Sequence, residues 1–137
     1  MLTSNNLSSI FVLDQDQALE FYTGVLGLEV GADINFGLMR WLTVKVPGTD
    51  REVLLERPGP PAHSEETAER IRELVTMGAA GGWLGFTTDD VQGTFERVVA
   101  AGADVTQEPI EQPYGIDFAI RDPFGNPIRI GKIFGQP

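Results

Sequence analysis

The chain has 137 residues, the length of a single domain that can bury about two-thirds of its unfolded surface. Its 20 acidic and 10 basic residues give a net charge of −10, which would repel the phosphate backbone of a nucleic acid. There is no cysteine for a disulfide or a thiolate metal site, and no run approaches the roughly 20 apolar residues of a membrane helix. Residues 1–9 also lack the apolar core of a secretory signal. We therefore expect a cytoplasmic protein with no nucleic-acid or membrane partner.

The first half of the sequence predicts a β-α-β-β-β unit. Asp14 or Asp16 can cap a helix whose apolar residues recur at i, i+3/i+4 spacing, and Gly27 stands where that helix would end. The segments predicted around it are a strand at 7–13, the start of a strand at 28–30, a glycine-containing loop at 31–37, and strands at 38–46 and 51–56.

A proline-rich linker, 57–63, follows this unit and ends at the only histidine, His63, which we interpret as a solvent-exposed loop residue. Ser64 then caps a helix predicted over 65–77. Beyond it, the segments predicted are a strand at 83–88, a helix capped by Asp89 or Asp90 and ended by Gly102, the start of a strand at 104–106, a loop at 107–115, and paired strands at 116–121 and 127–134.

The second half repeats the first. Asp14 matches Asp90 at an offset of 76 residues, and Gly27 matches Gly102 at an offset of 75. We therefore predict one α+β domain, 1–137, made of two β-α-β-β-β modules. The first module covers 1–57, a linker and helix cover 58–81, and the second module covers 82–137.

The last two strands are joined by the turn Asp122-Pro123-Phe124-Gly125-Asn126. Pro123 fixes φ at the start of the turn, while Gly125 and Asn126 tolerate positive φ. Apolar and polar residues alternate on both sides of it, which predicts a β-hairpin.

These patterns resemble the vicinal-oxygen-chelate superfamily, which contains glyoxalase I, extradiol dioxygenases and bleomycin-resistance proteins. The similarity covers essentially the whole chain. It rests on the stretches Asp14–Tyr22 and Leu26–Val30 in the first module and on Asp122–Asn126 in the second. The run 106–109 with 113–116 further resembles small bacterial glyoxalase-like proteins. The resemblance implies a curved, mixed, eight-stranded sheet with helices on its convex side and a ligand pocket on its concave side. It also implies a homodimer.

In metal-dependent members of this superfamily, each module supplies ligands from its first and last strands. Carried over by motif, three of these positions fall on Leu7, Trp83 and Arg129. The fourth falls on Leu54, Leu55 or Glu56, because the register of that strand is open by one residue. Leucine and tryptophan cannot coordinate such an ion and an arginine repels it, so we expect neither a metal nor another cofactor.

If those positions face the pocket, alternation along the first strand places Ser9 and Phe11 beside Leu7, with Ile10 and Val12 toward the helix. The residues predicted to contact a ligand are Leu7, Phe11, Trp41, Glu56, Trp83, Tyr114 and Arg129. Arg129 either holds a carboxylate or a planar ring, or forms a salt bridge to Glu56. Trp41 either stacks on a ligand or packs in the protein, and Tyr114 either gates the pocket or only shapes a turn.

Three functions follow from this interpretation. The first is metal-free binding of a small aromatic or carboxylate-bearing compound in the concave pocket, as in antibiotic-sequestering relatives. The second is a lyase, isomerase or dioxygenase of the same superfamily, for which Glu56 is the candidate acid–base residue. The third is a non-catalytic module that binds another protein through its dimer surface or the helix at 64–77.

Overall fold

The computed structural model describes residues 1–133, which form eight strands and three α-helices. In chain order these are β1 (Leu7–Phe11), α1 (Gln15–Leu19), which continues as a π-helical segment (Glu20–Val25), β2 (Glu29–Asn35), β3 (Arg40–Lys45), β4 (Glu52–Glu56), α2 (Glu65–Thr76), β5 (Leu84–Thr87), α3 (Val91–Ala100), β6 (Asp104–Gln112), β7 (Gly115–Arg121) and β8 (Pro127–Ile133). Residue 134, predicted to end the last strand, lies outside the described residues. Within residues 1–133, no helix is both long and apolar enough to cross a membrane.

The eight strands form two sheets with the same connectivity, in the orders β1-β4-β3-β2 and β5-β8-β7-β6. In each sheet the first strand pairs in parallel with the last, and the other pairs are antiparallel. The α+β class and the duplicated module are confirmed. The prediction of one continuous eight-stranded sheet is not met in detail, because the described strands form two separate four-stranded ladders.

Two predicted loops are strands instead. Residues 31–37 were assigned to a loop because of Gly31, yet β2 runs on to Asn35 after a register shift between Val30 and Ala32. Residues 107–115 were also predicted to form a loop, yet β6 extends to Gln112 with two register shifts. Both are edge strands, where bulges and a proline such as Pro109 are tolerated.

The helix caps settle two choices that the sequence left open. The Asp14 carboxylate accepts the Gln17 N–H at 2.9 Å, and the Asp90 carboxylate accepts the Gly93 N–H at 2.9 Å. Ser64 caps α2 as predicted, accepting the Thr67 N–H at 3.2 Å. The two module helices therefore begin at equivalent aspartates.

A single hydrophobic core joins the two modules. The helix-facing residues of both sheets belong to one buried cluster, which includes Val12 and Leu42 from the first module and Phe118 and Ile128 from the second. Since each sheet buries one face in this shared core, its opposite face is left for other contacts. We call that opposite side the open face of each sheet.

Two hydrogen bonds also cross between the modules. The buried Tyr22 hydroxyl donates to Asp122 Oδ2 at 2.7 Å, and Asn126 Nδ2 donates to the Phe11 carbonyl at 2.7 Å. The β7–β8 turn is thus attached to the helix and first strand of the other module.

Candidate functional site

The open face of the first sheet carries four of the seven predicted ligand residues. Ile10 on β1 and Val12 just after this strand are buried in the core, so the alternating Leu7 and Phe11 lie on the open face. The register pairs Ser9 with Leu54 and Leu54 with Thr43. Glu56 is two residues from Leu54 on β4, and Trp41 is two residues from Thr43 on β3. Because side chains alternate along a strand, both lie on the open face with Leu7 and Phe11.

The open face of the second sheet carries a network of polar side chains around Asp117. Arg129 Nε donates to Asp117 Oδ2 at 2.9 Å, and Arg129 Nη2 lies 2.8 Å from the same oxygen. The Tyr114 hydroxyl donates to Asp117 Oδ2 at 3.1 Å. Gln107 accepts from Arg129 Nη2 at 3.1 Å and donates to Asp117 Oδ1 at 3.2 Å. Three strands, β6, β7 and β8, together with Tyr114, therefore hold one carboxylate.

This network corrects the partner expected for Arg129. A salt bridge to Glu56 was one of the two interpretations, but the guanidinium is bound to Asp117. The reason is topological, since Arg129 and Asp117 lie on adjacent strands of one sheet while Glu56 belongs to the other sheet. Acid–base chemistry by Glu56 beside Arg129 thereby loses its geometric basis.

Asp117 and Gln107 were missed by the sequence reasoning. Asp117 is only 8% exposed, and its carboxylate is the centre of the network. The available signal was a lone carboxylate between Ile116 and Phe118, in a strand whose other residues up to Ile120 are apolar. A buried acid in that setting requires a partner.

Five of the seven predicted residues border cavities, and these are three different cavities rather than one. Glu56 borders a cavity of about 640 Å³ beside the loop after β4. Phe11 and Trp83 border a second cavity, of about 510 Å³. Trp83, Tyr114 and Arg129 border a third, of about 420 Å³. Leu7 and Trp41 line none of these three.

Arg40, which lines the first of these cavities, is bound by two carboxylates. Arg40 Nε and Nη1 donate to Asp33 at 2.8 Å and to Asp16 at 2.7 Å. The hydrogen bond from Arg40 holds the pKa of Asp33 below its ordinary value, and the two carboxylates raise the pKa of Arg40. Arg40 is thus committed to its acidic partners and offers little to a ligand.

His63 is partly buried rather than a free loop side chain. Its ring packs edge-on against Phe11 with the centroids 5.4 Å apart, and its Nδ1 accepts the Gly59 N–H at 3.3 Å. The ring contact holds the 57–63 segment against β1, and the hydrogen bond lies within that segment. His63 therefore has a structural role in this segment.

The four positions to which the resemblance assigns metal ligands carry side chains that do not fit a metal. The strand register indicates Leu54 as the fourth position. In the second module, Arg129 pairs with Gly85. The equivalent pair in the first module is Leu54 with Ser9. The set is then Leu7, Leu54, Trp83 and Arg129, which contains no donor for a metal ion. Among residues 1–133, no three histidine, aspartate or glutamate side chains are grouped closely enough to hold one.

The fold and the open-face cavities define a duplicated β-α-β-β-β protein with room for small molecules. The chain belongs to the Glyoxalase/Bleomycin resistance protein/Dioxygenase superfamily, whose model matches residues 5–130. It is 33% identical to the uncharacterized protein YurT of Bacillus subtilis (strain 168) over 126 residues, which are 90% of this chain and 94% of YurT.

Two crystal structures illustrate the relationship. The structure of UcmS2 is 36% identical, with a TM-score of 0.88 over 96% of this chain and 98% of that one. TnmS3, described as an antibiotic binding protein from Streptomyces sp. CB03234, is 28% identical, with a TM-score of 0.76 over 96% of this chain and 97% of its own. The family predicted from the sequence is therefore confirmed.

Proposed function

We propose that this protein binds a small aromatic or carboxylate-bearing molecule without a metal, and that it does so on the open face of the second module. The observation that carries the proposal is the pair Trp83 and Arg129, which border the same cavity of about 420 Å³. The similarity to TnmS3, an antibiotic binding protein, supports the same kind of function.

The cavity offers the groups that such a ligand requires. Trp83 is 60% exposed, so a large flat apolar surface is available for stacking. Arg129 binds Asp117 and Gln107 through Nε and Nη2, and its Nη1 makes no hydrogen bond within residues 1–133. Nη1 can therefore donate to a carboxylate while the network keeps the guanidinium in place.

Tyr114 completes the cavity wall. It is 49% exposed and is oriented by its hydrogen bond to Asp117. The ligand is held by stacking and hydrogen bonds and no bond is broken. We further propose that the protein is a homodimer in the bacterial cytoplasm.

Ligand-induced stabilisation tests the proposal. A panel of aromatic carboxylic acids, their methyl esters and aromatic antibiotics is screened by thermal unfolding, where a ligand at 100 times its Kd adds about 2.7 kcal/mol. We expect Trp83→Ala to abolish the stabilisation by both acids and esters. Arg129→Gln should weaken binding of the acids at least tenfold and leave the esters within twofold.

Arg70→Gln is the matched control, since Arg70 is an exposed arginine on α2 that takes no part in this network and lines none of the three cavities. Equal binding by wild type and Trp83→Ala would contradict the proposed site. One metal ion retained per chain after incubation with Zn²⁺, Ni²⁺, Mn²⁺ or anaerobic Fe²⁺ and desalting would contradict the metal-free mode.

A further inference from the structure

A separate cleft of about 510 Å³ lies between the two modules, and we call it the inter-module cleft. The first strands of both modules border it, together with the connection between β3 and β4 and the residues just before β5. Its aromatic lining residues are Phe11, Trp83 and Phe86, joined by aliphatic residues such as Leu28. It shares Trp83, Gly85 and Phe86 with the open-face cavity and is otherwise built from different residues.

The inter-module cleft differs in its charge from the other two cavities described above. Its charged lining residues are Lys45 and Arg51, and no aspartate or glutamate among residues 1–133 borders it. By contrast, Glu56 and Glu65 line the cavity beside the β4 loop, and Asp117 lines the open-face cavity. The chain as a whole has a net charge of −10, whereas the charged residues that line this cleft are positive. The cleft therefore attracts anions.

Both cations keep hydrogen-bonding capacity. The nearest carboxylate to Lys45 Nζ is Glu29 Oε1 at 3.9 Å, the longest of the ion pairs within residues 1–133. Arg51 donates from Nη1 to the Asn5 carbonyl at 3.2 Å, an uncharged acceptor. Each side chain therefore has donors left for an acidic group.

We propose that the inter-module cleft is a second binding site, selective for an apolar organic anion. The apolar body of the ligand packs against Phe11, Phe86 and Trp83, and its carboxylate or sulfonate pairs with Lys45 and Arg51. Apolar walls with a few convergent polar groups are typical of small-molecule sites. The proposal does not depend on ligand binding by Arg129, so the two sites can be tested separately.

A pair of matched dyes tests the charge selectivity. The probe is 1-anilinonaphthalene-8-sulfonate, and N-phenyl-1-naphthylamine is its uncharged counterpart; binding of each is followed by fluorescence titration at fixed ionic strength. We expect the double variant Lys45→Gln/Arg51→Gln to bind the sulfonate at least tenfold more weakly than wild type and to bind the neutral dye within twofold. Both residues are at least partly exposed, so the variant should fold, and circular dichroism verifies this.

Two single variants locate the probe. Arg70→Gln removes a positive charge outside every cavity described and should leave both affinities unchanged. If Arg129→Gln weakens the sulfonate while the double variant does not, the dye occupies the open-face cavity; the cleft proposal is then wrong and the proposed function stands. The cleft proposal also fails if wild type does not bind the sulfonate, or if the double variant loses both dyes equally.

Discussion

Within residues 1–133, Asp122 is the carboxylate that accepts hydrogen bonds from the largest number of donors. Its Oδ1 accepts the backbone N–H groups of Phe124, Gly125 and Asn126 at 2.9 to 3.0 Å. Its Oδ2 accepts from Asn126 Nδ2 at 2.8 Å and from the Tyr22 hydroxyl at 2.7 Å. The charge of this 4% exposed group is balanced by five donors, which fix the β7–β8 turn.

Replacing Tyr22 by phenylalanine tests this arrangement. The Tyr22→Phe variant removes one donor from a buried carboxylate, so we expect the free energy of unfolding at neutral pH to fall by about 1–3 kcal/mol. Urea denaturation measures the loss. Tyr114→Phe is the control, because that half-exposed hydroxyl can be replaced by water and its loss should cost less than about 0.5 kcal/mol.

The same variant carries a pH signature. Burial, followed by the neighbouring Asp122 charge, raises the pKa of Tyr22 far above its ordinary value of 10.0. Above pH 10 the unfolded chain releases this proton and the folded chain keeps it, so stability falls as pH rises. Relative to Tyr22→Phe, wild type should lose about 1.4 kcal/mol per pH unit above pH 10. A constant difference between the two proteins from pH 8 to 11.5 would contradict this.

Sequence motifs located single residues better than they located residue pairs. The Asp122–Asn126 turn could be read directly, because local spacing defines it. The partners could not, because Tyr22 lies 100 residues from Asp122 and Asp117 lies 12 residues from Arg129 on another strand. Such pairs depend on which strands become neighbours, and local patterns do not determine that.

At the scale of secondary structure elements, the caps determine where the two module helices begin. Asp90 caps α3 through the Gly93 N–H, and Thr88 Oγ1 in turn accepts the Asp90 N–H at 3.2 Å. The neighbouring Asp89 makes no hydrogen bond through its side chain within residues 1–133, so two adjacent aspartates have different roles.

This difference predicts unequal effects of two alanine substitutions. Asp90→Ala should lower the free energy of unfolding by about 1 kcal/mol, within the 0.5–2 kcal/mol range of lost N-caps. Asp89→Ala removes the same charge without a cap and should change stability by less than about 0.5 kcal/mol. Urea denaturation of both variants measures the contrast, and equal losses would show that net charge rather than capping is responsible.

Element types were more predictable than element ends. All eight strands were identified at least in part, because apolar alternation survives in each of them. The extensions of β2 and β6 were not predicted, because Gly31 and Pro109 are typical loop residues. Only the pairing with a neighbouring strand shows that these edge strands continue.

At the scale of the whole molecule, the shared core makes the two modules thermodynamically dependent on each other. Buried residues of both sheets belong to one cluster, and the Tyr22–Asp122 and Asn126–Phe11 hydrogen bonds cross between them. No hydrogen-bonded ladder joins the two sheets within residues 1–133, so this coupling rests on side chains.

The coupling can be measured with one tryptophan in each module. In a Trp83→Phe background, Trp41 on β3 is the only tryptophan and reports on the first module. Ile128→Val on β8 should cost about 0.5–1.5 kcal/mol, because it removes a buried methylene from the second module. We expect the Trp41 fluorescence transition in urea to shift by the same amount as the far-ultraviolet circular dichroism. An unshifted Trp41 transition would show that the modules unfold independently.

The Arg129–Asp117 pair limits the evolutionary routes open to this sequence. A carboxylate at position 129 would be destabilising on its own, because Arg129→Glu would set two negative charges side by side where Nη2 and Oδ2 are now 2.8 Å apart. Asp117 is nearly buried, so the repulsion would be poorly screened. Position 129 can therefore accept a negative side chain only after position 117 has changed, which fixes the order in which the two substitutions can occur.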